Sequence, residues 1–315
     1  MTLATFLRLG LVVQLAAALA VGLWLLPPNL QWLALPIAIL LPLLGTGIVL
    51  AIEFTIGALA DRRTPALRLY EQIAIWWQET VISTRMFCFA QPFAARFPEP
   101  RLVRDAGRPS VLLVHGYLCN RAVWRALLDS GELGAANVAT VDLEPILGPI
   151  ERYADVVRDG VERLRAATGA SQVVLVGHSM GGLALRVYLR KFGDAAVSKV
   201  ITLATPHHGT LFGPLGIGAN SKQMAVGSAF MLELARALVP ALLAKFVCVA
   251  TRADNLVVPR SSPLLSGARQ VMLDRVGHLA LLEDARAWRT LHDEVHAPAP
   301  GSAQVPGQRV IDSAM

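Results

Sequence analysis

Apolar positions divide the chain into two unlike parts. From Leu9 to Leu26 the run is broken only by Gln14, and residues 30–52 contain no charged side chain. A bilayer takes about 20 apolar residues to cross as a helix. The pattern therefore predicts two transmembrane helices, about 7–26 and 30–52, joined through Pro27-Pro28-Asn29 into a hairpin over residues 1–60. Pro36 and Pro42 are tolerated in such a helix and kink it. Arg8, the apolar stretch after it and Ala16-Ala17-Ala18-Leu19-Ala20 also fit a cleaved signal segment, so that alternative stays open for the first run.

The next stretch, 61–107, mixes both kinds of position. Leu67, Tyr70, Ile73, Ile75, Trp76, Trp77 and Ile82 are interleaved with Arg68, Glu71, Gln72, Gln78 and Glu79. Paired tryptophans in such a pattern predict a helix at the level of lipid headgroups. A helix packed on the following domain is the competing reading. Pro92, Pro98, Pro100 and Pro109 mark a linker.

From residue 108 the pattern is regular. Short, mostly apolar runs at 111–114, 137–141, 171–176, 199–203, 246–251 and 270–273 alternate with helical stretches at 121–129, 151–167 and 183–192. Such alternation predicts an α/β domain over 108–295 with a doubly wound, mainly parallel sheet. One interval departs from it. Residues 206–245, with a largely apolar helical stretch at 225–243, predict a small helical cap. The Pro-, Gly-, Ser- and Gln-rich residues 296–315 predict a disordered tail.

Composition sharpens the membrane reading. Hydrophobic residues make up 54% of the chain, against an ordinary apolar share of roughly 45–50%, and the mean hydropathy is +0.49. The net charge of +6 is spread as scattered arginines without a nucleic-acid motif, which points to an anionic lipid face and away from nucleic acid. Arg8 precedes the first apolar run, the loop between the runs is uncharged, and Arg62, Arg63 and Arg68 follow the second. The positive-inside rule then places both ends, and the α/β domain, on the cytoplasmic side of a bacterial inner membrane. Cys88, Cys119 and Cys248 form no disulfide framework and no Cys-x-x-Cys pair. No metal or cofactor is expected.

The candidate chemistry centres on one junction. The run at 171–176 ends at Gly177-His178-Ser179-Met180-Gly181-Gly182, and a helical stretch follows. Strand, Gly-x-Ser-x-Gly and helix in that order make a nucleophile elbow, in which small neighbours let the chain turn sharply around an exposed serine. A serine hydroxyl needs a base, and the base an orienting acid. Chain order and loop placement assign Asp254, after the run at 246–251, and His278, after the run at 270–273. Asp274 is too close in sequence to His278, Glu283 and Asp284 are expected to face outward, and His207 and His208 precede any acid loop. The oxyanion donors are expected to be the N–H groups of Met180 and of Tyr117, in Val114-His115-Gly116-Tyr117. His178, His207 and Leu118 are expected to line the substrate pocket.

Three segments together, His115-Gly116-Tyr117, Gly177-His178-Ser179-Met180-Gly181-Gly182 and Thr205-Pro206-His207-His208-Gly209-Thr210, resemble the bacterial lipase branch of the α/β-hydrolase superfamily. They are also similar to the lipid-ester deacylases that trim membrane anchors. The resemblance covers roughly residues 108–295. It implies a serine esterase for acyl substrates without a cofactor, with Ser179, Asp254, His278, Tyr117 and Met180 in the family's roles. The secreted lipases of that branch often carry a disulfide or a calcium site, neither of which is identifiable here, and the hairpin is foreign to them. The expected function is a membrane-anchored serine hydrolase acting on carboxylic esters of lipids or acylated substrates. Acyl transfer or thioester cleavage on the same triad, and a non-catalytic membrane scaffold or transport component, remain open alternatives.

Overall fold

The computed structural model describes residues 1–61 and 67–298; Arg62, Arg63 and most of the expected tail lie outside them. Six strands form one sheet: β1 (Ser110–Val114), β2 (Asn137–Val141), β3 (Val173–His178), β4 (Val197–Leu203), β5 (Phe246–Thr251) and β6 (Arg269–Leu273). Their order is β2-β1-β3-β4-β5-β6, and every neighbouring pair runs parallel. A parallel sheet covered on both faces buries its central strands twice over, which is why β1 and β3 read as apolar runs. Val111, Leu112, Leu113 and Val114 are all inaccessible to solvent, whereas Arg269 and Gln270 on the edge strand are exposed.

One face of the sheet is covered by α5 (Tyr153–Thr168) and α6 (Met180–Phe192), which set Tyr153, Val157, Val161 and Leu183 against Leu112 and Leu175. On the other face, α4 (Arg125–Ser130) and α10 (Ala285–His296) bring Leu127, Leu291 and Val295 against Val111, Val176 and Val249. Fully burying each such side chain contributes about 1.5–3 kcal/mol. A buried ion pair, Lys199 with Glu294 at 2.9 Å, ties β4 to α10. The doubly wound parallel architecture is the expected one, and each strand begins and ends within two residues of its expected bounds.

The cap differs from expectation. The single helical stretch at 225–243 is broken, and the cap consists of α7 (Gly218–Gln223), α8 (Ala229–Arg236) and α9 (Pro240–Leu243). Gly227 at φ 73° turns the chain. Ser228 then caps α8 by accepting the Met231 N–H at 3.2 Å, and Pro240 opens α9. An apolar run hides these local breaks.

Two helices precede the domain, α1 (Leu3–Leu25) and α2 (Ala34–Ala60), linked by a 3-10 turn, Pro28–Leu33. Both are long and apolar enough to cross a membrane, with mean hydropathies of 2.0 for α1 and 2.4 for Pro28–Ala60. They fold back on one another at small residues: a Cβ on Gly22 would lie 2.9 Å from Cβ of Ala34. The second helix continues eight residues past its expected end at 52 and reaches the domain.

Next comes α3 (Leu69–Arg85), wedged between α2 and the domain. Ile75, Glu79, Ile82 and Ser83 are buried, while Leu69, Tyr70, Ile73 and Trp77 stay exposed. The Trp76 indole donates to the Gly47 carbonyl of α2 at 2.7 Å. One face of α3 is thus packed, and its exposed flank mixes Leu69, Tyr70, Ile73 and Trp77 with Gln72 and Gln78.

Candidate active site

At the end of β3 the backbone enters a conformation that L residues rarely adopt, with Ser179 at φ 53° and ψ −126°. Such strain persists only where its surroundings impose it. Here a Cβ on Gly177 would lie 2.6 Å from the Gly182 nitrogen, and one on Gly181 2.5 Å from the His115 carbonyl oxygen. The turn closes because neither has a side chain. The Ser179 N–H is fixed on the Leu203 carbonyl at 2.8 Å.

His278 follows β6 and meets Asp254, which follows β5. Its Nδ1 stands 3.1 and 3.0 Å from the two carboxylate oxygens of Asp254, which has no solvent exposure. One of those oxygens also accepts the N–H groups of Leu256 at 2.9 Å and Val257 at 2.7 Å. The carboxylate orients the ring so that Nδ1–H donates and Nε2 is the free base. Burial by itself would lower the His278 pKa; the charge and hydrogen bond of Asp254 outweigh it, Glu79 adds to them, and the net direction is upward. Ser179 and His278 line one cavity. Among the described residues no hydrogen bond joins them, a separation common before substrate tightens a site.

Two backbone segments flank the serine. Met180 is the first residue of α6, where an N–H has no acceptor within the helix. Tyr117 lies in the loop after β1, whose Gly116 abuts the serine closely enough that an added Cβ would sit 2.9 Å from Cβ of Ser179. The Tyr117 hydroxyl donates to the Ile217 carbonyl at 2.7 Å and accepts the Ile217 N–H at 3.0 Å, so this loop is tied to the cap.

Of the expected pocket residues, His178 and Leu118 line the cavity. His178 packs on His278 with ring centres 4.8 Å apart, and burial followed by the His278 charge pushes its pKa well down. His207 is a correction. It does not reach the cavity: its ring is buried against Phe246, its Nε2 meets the Thr202 hydroxyl at 3.0 Å, and Arg186 donates to its carbonyl at 2.9 Å. Burial, then the Arg186 charge, pushes its pKa well below the usual range, so it is a neutral strut. His208 leans the other way, toward the Leu264 carbonyl at 3.1 Å.

The remaining acids are engaged elsewhere. Asp274 pairs with Arg252 at 3.4 Å, Glu283 with Arg85, and Asp284 caps α10. The Thr205–Thr210 segment braces the site from behind: a Cβ on Gly182 would overlap Thr205, and the Thr210 hydroxyl donates to the Leu256 carbonyl at 2.5 Å. Cys119 also lines the cavity, but burial pushes its thiol up to about 12, which rules out a ready thiolate. Among the described residues no group of His, Cys, Asp or Glu side chains is arranged to hold a metal ion.

Three polar residues at the site have no counterpart in the sequence reasoning. Glu79 of α3 accepts the N–H groups of Leu279 at 2.6 Å and Ala280 at 2.9 Å. Burial pushes its carboxyl up to about 7, partly offset by these two hydrogen bonds. Asn255 accepts the His278 N–H at 3.2 Å, and its amide donates to Glu53 of α2 at 2.7 Å. An Asn directly after the acid was the one available signal. Glu79 is only one of the polar positions of a mixed helix, and Glu53 lies one residue past the apolar run at 30–52.

The comparisons with known proteins agree with this geometry. A family model described as the alpha/beta hydrolase fold matches residues 109–224. Residues 109–224, from β1 through α7, are thus similar to that family. The chain is also similar to a triacylglycerol lipase of Pseudarthrobacter phenanthrenivorans, with 46% identity over 52 residues, 16% of this chain and 16% of that one. A Burkholderia plantarii triacylglycerol lipase is 46% identical over 52 residues, covering 16% of this chain and 14% of its own length. The match therefore spans about one sixth of the curated lipases. Among solved structures, a mature Bacillus licheniformis lipase superposes with a TM-score of 0.55 at 18% identity, covering 62% of this chain and 95% of its own. Aspergillus fumigatus lipase B superposes with a TM-score of 0.59 at 15% identity, covering 91% and 86%. These two likenesses are of fold.

Proposed function

We propose that this protein is a membrane-anchored serine hydrolase of the α/β-hydrolase type that cleaves carboxylic esters of lipid-like, acylated substrates. The observation that carries the reading is the His278 ring held on both oxygens of buried Asp254, in one cavity with a serine at φ 53°. His278 Nε2 takes the Ser179 proton as Oγ bonds to the ester carbonyl carbon. The N–H groups of Met180 and Tyr117 hold the oxyanion that forms. Collapse breaks the ester C–O bond, and the proton passes from His278 to the leaving alkoxide oxygen. Water then adds to the acyl-enzyme, giving His278 a proton that returns to Ser179 as the carboxylic acid leaves.

A membrane location is supported by the length and hydropathy of α1 and α2, and by exposed Trp24 and Trp32 at the far end of their hairpin, where indoles favour an interface. With Arg8 and Arg68 at the opposite end, the α/β domain lies on the cytoplasmic face. Protease access in spheroplasts tests this orientation: cleavage of the domain without lysis would reverse it. The chemistry is tested with Ser179→Ala, which should abolish hydrolysis of p-nitrophenyl acyl esters and labelling by a fluorophosphonate probe. Full activity in that variant would sink the assignment.

A further inference from the structure

The wall of the active-site cavity is not built by the α/β domain alone. Gly45, Thr46, Val49, Leu50 and Glu53 of α2 line it, together with Ser179 and His278. Spacings of one, four, five and eight residues from Gly45 place all five on one stripe of the helix. Their polarity is graded. Glu53 is beside the catalytic end, bonded to Asn255, whereas Gly45 to Leu50 present only apolar surface and one hydroxyl. From Glu53 back to Gly45 the helix rises about 12 Å. The cavity measures about 490 Å³, with Phe87 and Phe212 among its other walls.

The cavity also reaches the surface at an apolar mouth. Val49 and Leu215 both line it and are 54% and 73% exposed, so the opening lies between α2 and the cap. Ile48, Ile52, Leu211 and Ile217, each next in sequence to a lining residue (Val49, Glu53, Phe212 and Gly216), are exposed as well. An exposed apolar rim of this kind is stable against hydrocarbon and costly against water.

We propose that α2 is part of the acyl-binding site, and that the acyl chain of a membrane-resident ester slides sideways out of the bilayer between α2 and the 211–217 segment. This rests on the ester-hydrolase reading. The chain lies along the Gly45–Leu50 stripe with its tail toward the membrane interior, and its ester group reaches Ser179 beside Glu53. The favoured substrate is an amphiphile whose long acyl chain never has to leave the lipid phase. Short, water-soluble esters reach Ser179 without using the stripe.

Gly45 provides the test. A Cβ there meets nothing within 4 Å, so a larger side chain fills the cavity without displacing backbone; Gly10 on α1 is equally open but away from the cavity. In full-length protein in liposomes, Gly45→Phe should lower kcat/KM for p-nitrophenyl palmitate by about tenfold or more, the scale of a misfit in a hydrophobic pocket. Hydrolysis of p-nitrophenyl butyrate should fall much less, so that the palmitate-to-butyrate ratio drops about tenfold, fluorophosphonate labelling should persist, and Gly10→Phe should behave as wild type. Val49→Trp, at an exposed position, gives the same readout if Gly45→Phe does not accumulate. An unchanged preference between palmitate and butyrate, or an equal fall on both, overturns the proposal. A wild-type protein that neither hydrolyses butyrate nor takes the probe overturns the ester-hydrolase reading itself.

Discussion

Glu79 accepts the backbone N–H groups of Leu279 and Ala280, the two residues directly after His278, although it belongs to a helix that precedes the first strand. The contact is tight enough to dictate sequence: a Cβ on Gly277 would fall 2.6 Å from the Glu79 carboxyl carbon. The loop that carries the base is therefore shaped by an element outside the sheet.

That contact makes stability depend on pH. Burial raises the Glu79 carboxyl from 4.5 to about 7. A raised folded-state pKa means that the stabilising contribution is complete below about 4.5 and is lost as pH rises through about 7. The shift corresponds to at most about 3 kcal/mol. Glu79→Gln removes the titration and leaves one acceptor oxygen for two N–H groups, at a cost of about 1–3 kcal/mol. The difference in thermal midpoint between wild type and variant should shrink from pH 4.5 to pH 7. Parallel curves across that window would refute the assignment.

The pairing of His278 with Asp254 has a kinetic counterpart. Burial disfavours the imidazolium, but Asp254 more than offsets it, so protonation of the base extends to higher pH than for a free imidazole. Activity needs the neutral ring and therefore rises with pH. The acid limb of kcat/KM for a short ester should lie above the ordinary value of about 6.5. Asp254→Asn should lower kcat by about 10⁴, as in other Ser-His-Asp sites. A limb below the ordinary value would contradict the geometry.

Much of this arrangement was legible because it is written in local pattern. Strands buried on both faces leave mostly apolar runs, and β1 and β3 are of this kind. The serine turn shows in Gly177 and Gly181, since only a missing Cβ fits there. The cap was less legible, because the apolar character of 225–243 masks the turn at Gly227 and the restart at Pro240. His207 was misjudged for a different reason. Its place after β4 suggested a pocket, but Arg186 of α6, 21 residues earlier in the chain, claims its backbone and fixes it in the interior. Glu53 and Glu79 could not be singled out at all. A carboxylate on an amphipathic or membrane helix gains meaning only from the loop that folds against it, here 254–280.

The double contact between Tyr117 and Ile217 ties the loop of the oxyanion donor to the cap. Tyr117→Phe keeps the backbone N–H and the ring but removes both hydrogen bonds, each worth about 0.5–1.5 kcal/mol. Hydrogen exchange across 211–221 should quicken, and KM should change more than kcat. A large fall in kcat with unaltered exchange would show that the hydroxyl acts in the chemistry and does not hold the cap.

Glu53 and Asn255 decide whether α2 is a tether or a working part of the site. The Asn255 amide donates to Glu53 at 2.7 Å, and its oxygen accepts the His278 N–H at 3.2 Å, so the apolar helix is linked to the base in two steps. Asp61, at the end of the same helix, accepts the Arg260 N–H at 2.8 Å and holds the loop that follows the acid. A side-chain hydrogen bond is worth about 0.5–1.5 kcal/mol, which as lost transition-state positioning is roughly two- to tenfold in rate. Glu53→Ala and Asn255→Ala should each lower kcat for p-nitrophenyl butyrate on that scale with little change in KM, because the short ester does not use the helix for binding. Glu53→Gln keeps an acceptor for Asn255 and should restore most of the rate. If Glu53→Ala is as active as wild type, α2 does no more than anchor the domain; if Glu53→Gln is as impaired as Glu53→Ala, the requirement is for the charge and not for the position of Asn255.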